Sequence, residues 1–272
     1  MGEAKRKRSA TQRLIAEFPD CCFCGGLRRT ATREHMPPTS LFDNSHRPDG
    51  LVMPACEECN KGTSKADLAV ALLSRWDYYS SAQEQLDHSK LANRIKKQAP
   101  ELVAEWLNID AAEKKRARQH LLNHGVQVPP DAGIATIGPL SVGQLNLFAH
   151  KVVLALYFAH FRRGLSNDGR IFASWRTKED FARSGIPKFF LDLLPSYGTI
   201  SQGQWDEHKT FEYRHAINIE EGLFGCLAKF RQGYFVYGFT VDRAGLLPES
   251  ERQEWLRPAD VLNIPLTRQK KL

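Results

Sequence analysis

The sequence predicts an α+β protein with an N-terminal cysteine-bearing module, a helical middle segment and a C-terminal α+β domain. Three patterns lead to this prediction. Four cysteines form two C-x2-C pairs, Cys21 with Cys24 and Cys56 with Cys59. Apolar residues recur at helical spacing between about residues 68 and 125. Segment 210–219 alternates as a half-buried strand does, and segment 234–241 is rich in aromatic and β-branched residues.

The composition is that of a folded protein. The chain has 272 residues, of which 42% are hydrophobic and 25% are charged, so a disordered protein is excluded. This length suffices for one large core or two modest ones, and we expect two. The N-terminus lacks the apolar stretch of a secretory signal. The longest apolar run, 152–159, is far shorter than the roughly 20 residues that span a membrane. We therefore expect a cytoplasmic protein without a membrane partner.

The charge is positive and unevenly distributed. The formal net charge is +7, and residues 1–33 carry eight lysine and arginine residues against three acidic ones. A basic arm over residues 1–17, next to the cysteine module, is what a phosphate-backbone partner requires. A solvated basic tail that aids solubility explains the same pattern. Charge alone leaves both interpretations open.

The cysteine spacing favours a metal site. Two C-x2-C pairs supply the four sulfurs of a closed structural zinc site. In a reducing compartment such pairs bind metal or carry out redox chemistry rather than form disulfides. A thioredoxin-like redox pair opens a helix after a strand, and the segment before Cys21 does not have that pattern. Two further cysteines remain. We expect Cys22 to be a bystander in the turn of the first cysteine pair and Cys226 to be a core residue.

A Glu-His pair lies between the cysteine pairs, in "TREHMPPTSLFD". Glu34 offers a hard oxygen ligand for Mg²⁺, and the imidazole of His35 can accept a proton near neutral pH. Neighbouring side chains on a strand point to opposite faces, so both can serve one site only where the strand ends or distorts. Pro37 and Pro38 supply such an end.

A helix follows the second cysteine pair. Ser64 and Asp67 have capping-box spacing, which predicts a helix start near residue 64 or one turn earlier, with Asp67 in a capping role. Asn60 then lies at or just before the N-terminus of that helix.

The combined segments "C-x2-C … EH-x-PP … PAC-x2-CN-x3-S" resemble the HNH endonucleases, the zinc-bearing branch of the ββα-metal nucleases. The resemblance covers roughly residues 18–70, and we place the module at 18–75. It implies a ββα-metal fold, a structural Zn²⁺ on the four cysteines and a catalytic Mg²⁺ or Mn²⁺. It further implies that His35 activates water and that Glu34 and Asn60 hold the catalytic ion. The substrate is then nucleic acid, with DNA as the expected target and Arg33 and Lys61 placed to contact phosphates.

One position departs from the family pattern. The family's middle Asn, which braces the loop and orients the histidine, corresponds here to Leu51. Asn44 or Asp49 could substitute for it. A zinc-knuckle nucleic-acid-binding protein without cleavage activity is therefore the alternative function. A purely structural zinc protein leaves the Glu-His pair unexplained.

The rest of the chain carries no recognised motif. We expect a helical segment over 76–125, a linker at 126–140, an α+β domain of unknown role over 141–248 and a polar tail over 249–272. Ser141 is expected to cap a buried helix that ends at Phe161. Segment 195–205 is expected to be a loop. Four histidines of the C-terminal part show no ligand spacing among themselves: His150, His160, His208 and His215.

Overall fold

The computed structural model describes residues 2–75, 82–123, 125, 133–181, 185–202, 205–206, 209–231 and 233–263. Its helices are α1 (Gly2–Glu17), α2 (Glu57–Gly62), α3 (Ser64–Leu73), α4 (Ala82–Gln98), α5 (Pro100–Leu107), α6 (Ala111–Asn123), α7 (Pro139–Phe161), α8 (Lys178–Phe181), α9 (Lys188–Leu193) and α10 (Glu249–Arg252). Its strands are β1 (Thr32–His35), β2 (Val52–Ala55), β3 (Arg170–Thr177), β4 (Ser196–Thr199), β5 (Ser201–Gln202), β6 (Trp205–Asp206), β7 (Phe211–Asn218), β8 (Leu223–Phe230) and β9 (Tyr234–Val241). The predicted α+β class is confirmed.

The N-terminal module consists of a hairpin followed by two short helices. Strands β1 and β2 pair antiparallel, with Glu34 opposite Met53 and His35 opposite Val52. Helix α3 begins at Ser64, as predicted, but the capping role of Asp67 is wrong. The preceding Thr63 has helical dihedral angles (φ −99°, ψ −2°) and makes no side-chain cap, because the chain continues almost helically from α2. The carboxylate of Asp67 instead bonds to Lys151.

The C-terminal half is built on a five-stranded antiparallel sheet with the order β3-β9-β8-β7-β4. Both predicted strands are present as β7 and β9, and β8 lies between them. The loop expected at 195–205 is partly wrong, because β4 pairs with β7 and forms one edge of the sheet. A Cβ atom at Gly198 in β4 would lie 2.3 Å from the ring of Tyr213, so only glycine fits this close approach.

Helix α7 is the central helix of the fold. It begins at Pro139, two residues before the predicted cap Ser141, and the carboxylate of Glu105 accepts hydrogen bonds from the N–H groups of Leu140 and Ser141. The hydroxyl of Ser141 instead accepts a hydrogen bond of 2.6 Å from the indole of Trp106. Among the described helices, α7 alone is long and apolar enough to span a membrane, but 83% of its most apolar window is buried inside the protein. That burial is typical of a core helix in a soluble protein.

Most buried side chains of the module, of α7 and of the sheet form one large hydrophobic cluster, which extends from Cys21 to Val261. A second, small cluster contains Phe190, Leu194, Leu227 and Tyr237, so the two modest cores expected from the sequence are instead one large core and one small one. Helices α4, α5 and α6 make up the predicted helical segment, and Pro100 begins α5. The segment expected to be a basic arm forms α1, and part of the expected tail packs on the sheet through a bridge between Leu256 and Ile171. Residues 126–132 of the expected linker and 264–272 of the tail lie outside the described part. The proposed domain boundaries remain predictions.

Candidate metal centre

The four predicted zinc ligands lie together. The Sγ atoms of Cys21, Cys24, Cys56 and Cys59 are all within 4.8 Å of one another, and all four residues are buried. The first pair sits on a turn in which Gly25 and Gly26 have positive φ angles of 63° and 78°. The second pair opens α2. This donor set and spacing fit a tetrahedral metal ion such as zinc, whose bonds to sulfur are about 2.3 Å long.

The thiols of this cluster perturb one another. A hydrogen bond with Cys24 raises the pKa of Cys21 to about 12, and a hydrogen bond with Cys21 raises the pKa of Cys59 well above its usual value. Hydrogen bonds from Cys21 and Cys59 lower the pKa of Cys24 to about 2. Of these three thiols, only that of Cys24 is therefore favoured as a thiolate by the cluster itself. Additional thiolates need a bound cation at the centre.

Cys22 and Cys226 are both buried and belong to no ligand cluster among the described residues. The N–H group of Cys22 donates to the carbonyl of Pro54, 3.0 Å away, while Cys226 faces the core from β8. Their predicted roles as bystander and core residue are confirmed. Within the described chain no second cluster of His, Cys, Asp and Glu ligands forms, so His150, His160 and His215 build no metal site there. His208 lies outside the described residues.

Glu34 and Asn60 are placed on the same side of the hairpin. The amide Nδ2 of Asn60 donates a hydrogen bond of 2.9 Å to Oγ1 of Thr32, which lies two residues before Glu34 on β1. Side chains two positions apart on a strand share a face. Because Nδ2 is engaged by Thr32, Oδ1 is the atom of Asn60 that remains for a ligand.

The carboxylate of Glu34 is buried and partly engaged. Its Oε1 accepts a hydrogen bond of 2.7 Å from Nζ of Lys151, which also contacts both carboxylate oxygens of Asp67 at 2.8 and 2.7 Å. Burial raises the pKa of Asp67 to about 6. Burial alone would lower the pKa of Lys151, but the charges of Asp67 and Glu34 raise it above its ordinary value. Oε2 of Glu34 has no hydrogen-bond partner among the described residues, so one hard oxygen remains for a divalent ion.

His35 ends strand β1 and is half-buried. Burial lowers the pKa of its imidazole to about 4, with further lowering by the charges of Arg47 and Arg33. The ring is therefore neutral at pH 7 and can accept a proton. A phosphodiester anion next to the ring would offset the two cations and raise the pKa again.

Arg47 holds the loop that follows His35, a role that the sequence analysis missed. Its guanidinium donates to the carbonyl oxygens of Met36, Pro37, Pro48 and Gly50, at distances between 2.8 and 3.0 Å. These carbonyls lie on both arms of the loop between β1 and β2. The planar fork of donors therefore holds the two arms of the loop together.

Leu51, which occupies the position of the middle Asn in the resemblance, takes part in the loop through its backbone. Leu51 has a positive φ of 44°, and its carbonyl accepts a hydrogen bond of 3.0 Å from the N–H group of Met36. Asp49 influences the site through its charge, which raises the pKa of Arg47 against the larger lowering by burial. The side chain of Asn44 lies outside the described part.

The two predicted phosphate-contacting residues differ in their surroundings. Arg33 lies two residues before His35 in β1, and its side chain makes no hydrogen bond or ion pair with another described residue. Lys61 is exposed on α2, where its ammonium lies 2.6 Å from the carboxylate of Glu57. Exposed pairs of this kind contribute little to stability, so the ion pair does not prevent Lys61 from contacting a phosphate.

Lys151 carried a recognisable sequence signal, because it is a lone cation within the apolar run of α7. A buried ammonium requires counter-charges, although the sequence does not reveal which carboxylates supply them.

Comparisons of the chain with protein-family models, with curated proteins and with solved structures found no match.

Proposed function

We propose that the protein is a metal-dependent endonuclease of the HNH type, which hydrolyses phosphodiester bonds of DNA. The observation that carries the proposal is that the module with the four-cysteine cluster also contains Glu34, Asn60 and His35 in and next to its hairpin. Glu34 and Asn60 each keep an oxygen without a partner among the described residues, on one face of the hairpin. His35, neutral at pH 7, ends the same strand.

Each residue has a distinct role in this proposal. The four cysteines hold a structural Zn²⁺ that joins the turn before β1 to the start of α2. Oε2 of Glu34 and Oδ1 of Asn60 hold Mg²⁺ or Mn²⁺, which when bound stabilises the developing charge on the scissile phosphate. His35 accepts the proton of the attacking water at an imidazole nitrogen. Arg47 keeps the ring in position by bracing the loop after it.

The proposed partner is nucleic acid. The net charge of +7 and the surplus of cations in residues 1–33 favour a polyanion. Arg33 lies beside the proposed base, and Lys61 immediately follows the proposed ligand Asn60. We place the protein in the cytoplasm, where a reducing environment keeps the cysteines available for metal.

A binding-only protein is the second candidate, and one observation favours it. The ammonium of Lys151 lies 2.7 Å from Oε1 of Glu34, so this carboxylate already has a counter-charge without a metal ion. If Lys151 satisfies this carboxylate permanently, the module has no second ion and binds nucleic acid without cleaving it. Zinc content and salt-sensitive binding are the same for both candidates.

Nicking of supercoiled plasmid distinguishes the two functions. The full chain is incubated with Mn²⁺ or Mg²⁺, without divalent ions, and as the Glu34→Gln and Asn60→Ala variants. Glu58→Gln serves as the matched control, because it removes an exposed carboxylate of the same module. Zinc content is measured for every sample, so that loss of the structural ion is not mistaken for loss of catalysis.

We expect nicking only with a divalent ion, at least a hundredfold slower in Glu34→Gln and close to the wild-type rate in Glu58→Gln. The binding-only function would instead be supported if the zinc-loaded protein binds DNA but nicks neither plasmid nor single-stranded DNA with any divalent ion.

A further inference from the structure

The candidate site receives a buried side chain from outside the N-terminal module. Lys151 is located in the middle of α7, 117 positions from Glu34 and 84 positions from Asp67. The Lys151 side chain is 2% exposed, and those of Glu34 and Asp67 are 9% and 13% exposed. The three groups therefore interact largely out of contact with water, where their attraction is strong and their placement is fixed.

The geometry of the ammonium group is asymmetric. Two of its contacts, at 2.8 and 2.7 Å, reach both oxygens of Asp67, and one contact of 2.7 Å reaches Oε1 of Glu34. An ammonium group has three N–H donors, so these three contacts use all of them. Asp67 thus anchors Lys151, and Lys151 in turn fixes one oxygen of Glu34.

The second oxygen of Glu34 is the one that the proposed function requires. Oε2 has no hydrogen-bond partner among the described residues, while Oε1 is held and the side chain is almost fully buried. A carboxylate held through one oxygen presents the other in a fixed direction, as partners behind metal ligands commonly do. The group of two carboxylates and one ammonium keeps a net charge of −1, which attracts a cation.

We propose that Lys151 is a positioning residue of the divalent-ion site: anchored by Asp67, it holds Oε1 of Glu34 so that Oε2 is presented to the metal ion. This inference rests on the proposed function. It also means that the nuclease module depends on the C-terminal half, because the residue that orients its metal ligand comes from α7.

The test replaces the anchor and the positioning residue together. Lys151→Met with Asp67→Leu removes one ammonium and one carboxylate, so the net buried charge around Glu34 stays at −1. Replacing a buried ion pair by apolar side chains of similar size is often neutral for stability. Lys229→Met with Glu212→Leu is the matched control, because it removes a 2.7 Å ion pair from the sheet.

Binding of Mn²⁺ by the full chain is measured by electron paramagnetic resonance, together with zinc content, thermal unfolding and nicking. We expect the Lys151/Asp67 variant to keep its zinc and to bind Mn²⁺ at least tenfold more weakly than wild type. The control pair should bind Mn²⁺ as wild type does. Lys151→Gln with Asp67→Asn keeps a donor for Glu34 and should retain affinity within about threefold, which corresponds to about 0.7 kcal/mol.

Unchanged or tighter Mn²⁺ binding in the Met/Leu variant would overturn the inference, because Lys151 would then be a structural or competing cation. If the Met/Leu variant loses zinc, the Gln/Asn pair is compared with Lys151→Ala/Asp67→Asn, whose side chain at position 151 is too short to reach Glu34. Equal affinity in those two variants would likewise overturn it. Absence of Mn²⁺ binding by wild type would refute the proposed function itself, and the inference with it.

Discussion

Nζ of Lys151 lies 2.7 Å from Oε1 of Glu34, although 117 positions separate the two residues. The contact joins the central helix of the C-terminal half to the strand that carries the proposed catalytic residues. The candidate site therefore consists of locally encoded parts, the cysteine pairs and the hairpin, together with one side chain that only the tertiary fold supplies.

The cysteine cluster gives the first prediction. Cys56→Ser removes one of four sulfurs, so we expect the protein to lose the capacity to bind zinc at this cluster and to unfold at lower denaturant concentration, with a loss of several kcal/mol. The free energy of binding a structural metal ion contributes to the free energy of folding, because the unfolded chain has no preformed site. The measurement is zinc content together with urea unfolding.

Cys22→Ala is the control for this change, since Cys22 lies in the turn of the first cysteine pair but outside the cluster. It should keep one zinc per chain. Equal zinc content in Cys56→Ser and wild type would show that the cluster is not a metal site.

Arg47 gives the second prediction. Arg47→Met removes the donors to four main-chain carbonyls, so we expect a loss of about 3 kcal/mol in unfolding free energy and slower nicking. Arg47→Lys should not restore either property, because one ammonium cannot replace a planar fork. Unfolding and nicking are measured on the same preparations.

The exposed Arg29 is the control for Arg47. It forms an ion pair of 2.7 Å with Asp20, and Arg29→Met should change the unfolding free energy by less than about 1 kcal/mol. If Arg47→Met were as stable and as active as wild type, Arg47 would not brace the loop.

The third prediction concerns acid stability. His150 is buried in α7, with Nδ1 lying 2.8 Å from the carbonyl of Asn146, and burial lowers the pKa of His150 to about 4. The unfolded chain binds this proton with a pKa near 6.5, so below that pH the unfolded state binds more protons than the folded state. The contribution of His150 to stability is therefore complete above about pH 6.5 and falls as the pH decreases toward 4.

At pH 5 the expected loss from His150 is about 2 kcal/mol relative to pH 7.5, at 1.36 kcal/mol per pH unit. His150→Gln should show a correspondingly smaller drop in urea-unfolding free energy between these two pH values. Asp67 titrates in the same window with the opposite sign, because its folded pKa is raised, so the comparison between variant and wild type isolates His150. Identical pH dependence in the two proteins would contradict the prediction.

The fourth prediction concerns nucleic-acid contacts. Each lysine or arginine that neutralises one phosphate contributes about 0.9 to the slope of log affinity against log salt concentration. Arg33→Gln and Lys61→Gln should each lower the slope for duplex DNA by about one and weaken binding at low salt. Lys65→Gln is the control, since Lys65 is paired with Glu101 on the neighbouring helix. Slopes that stay unchanged in both variants would remove these residues from the interface.

The sequence predicted the locally encoded parts of the site. The spacing of the cysteines and the end of the strand at His35 depend on neighbouring residues, and the structure contains both. Asn60 lies inside α2 (Glu57–Gly62) rather than at or just before the N-terminus of the predicted helix, because the sequence analysis did not predict this short helix. Asp67 was misassigned because a local capping rule takes no account of Thr63, whose helical backbone removes the cap. For the long-range partner Lys151, the sequence indicated only that a lone cation in an apolar helix requires counter-charges. It did not indicate which carboxylates supply them.

The fold was predicted less completely in the sheet. Segments with strong alternation or aromatic content, 210–219 and 234–241, proved to be strands. Strand β4 was missed because its sequence, Ser-Tyr-Gly-Thr, is short and polar, and its pairing depends on the close approach of Tyr213 to Gly198. The bracing by Arg47 was missed because the guanidinium reaches carbonyls that the loop brings together only after folding.

The most direct test of the proposed chemistry is the nicking rate of zinc-loaded His35→Ala at saturating Mn²⁺, beside wild type prepared in the same way. General-base catalysis contributes about 10²- to 10⁴-fold, so the variant should be slower by that factor while keeping its zinc and its DNA affinity. A variant as fast as wild type would contradict the assignment of His35 as the base and, with it, the proposed nuclease site.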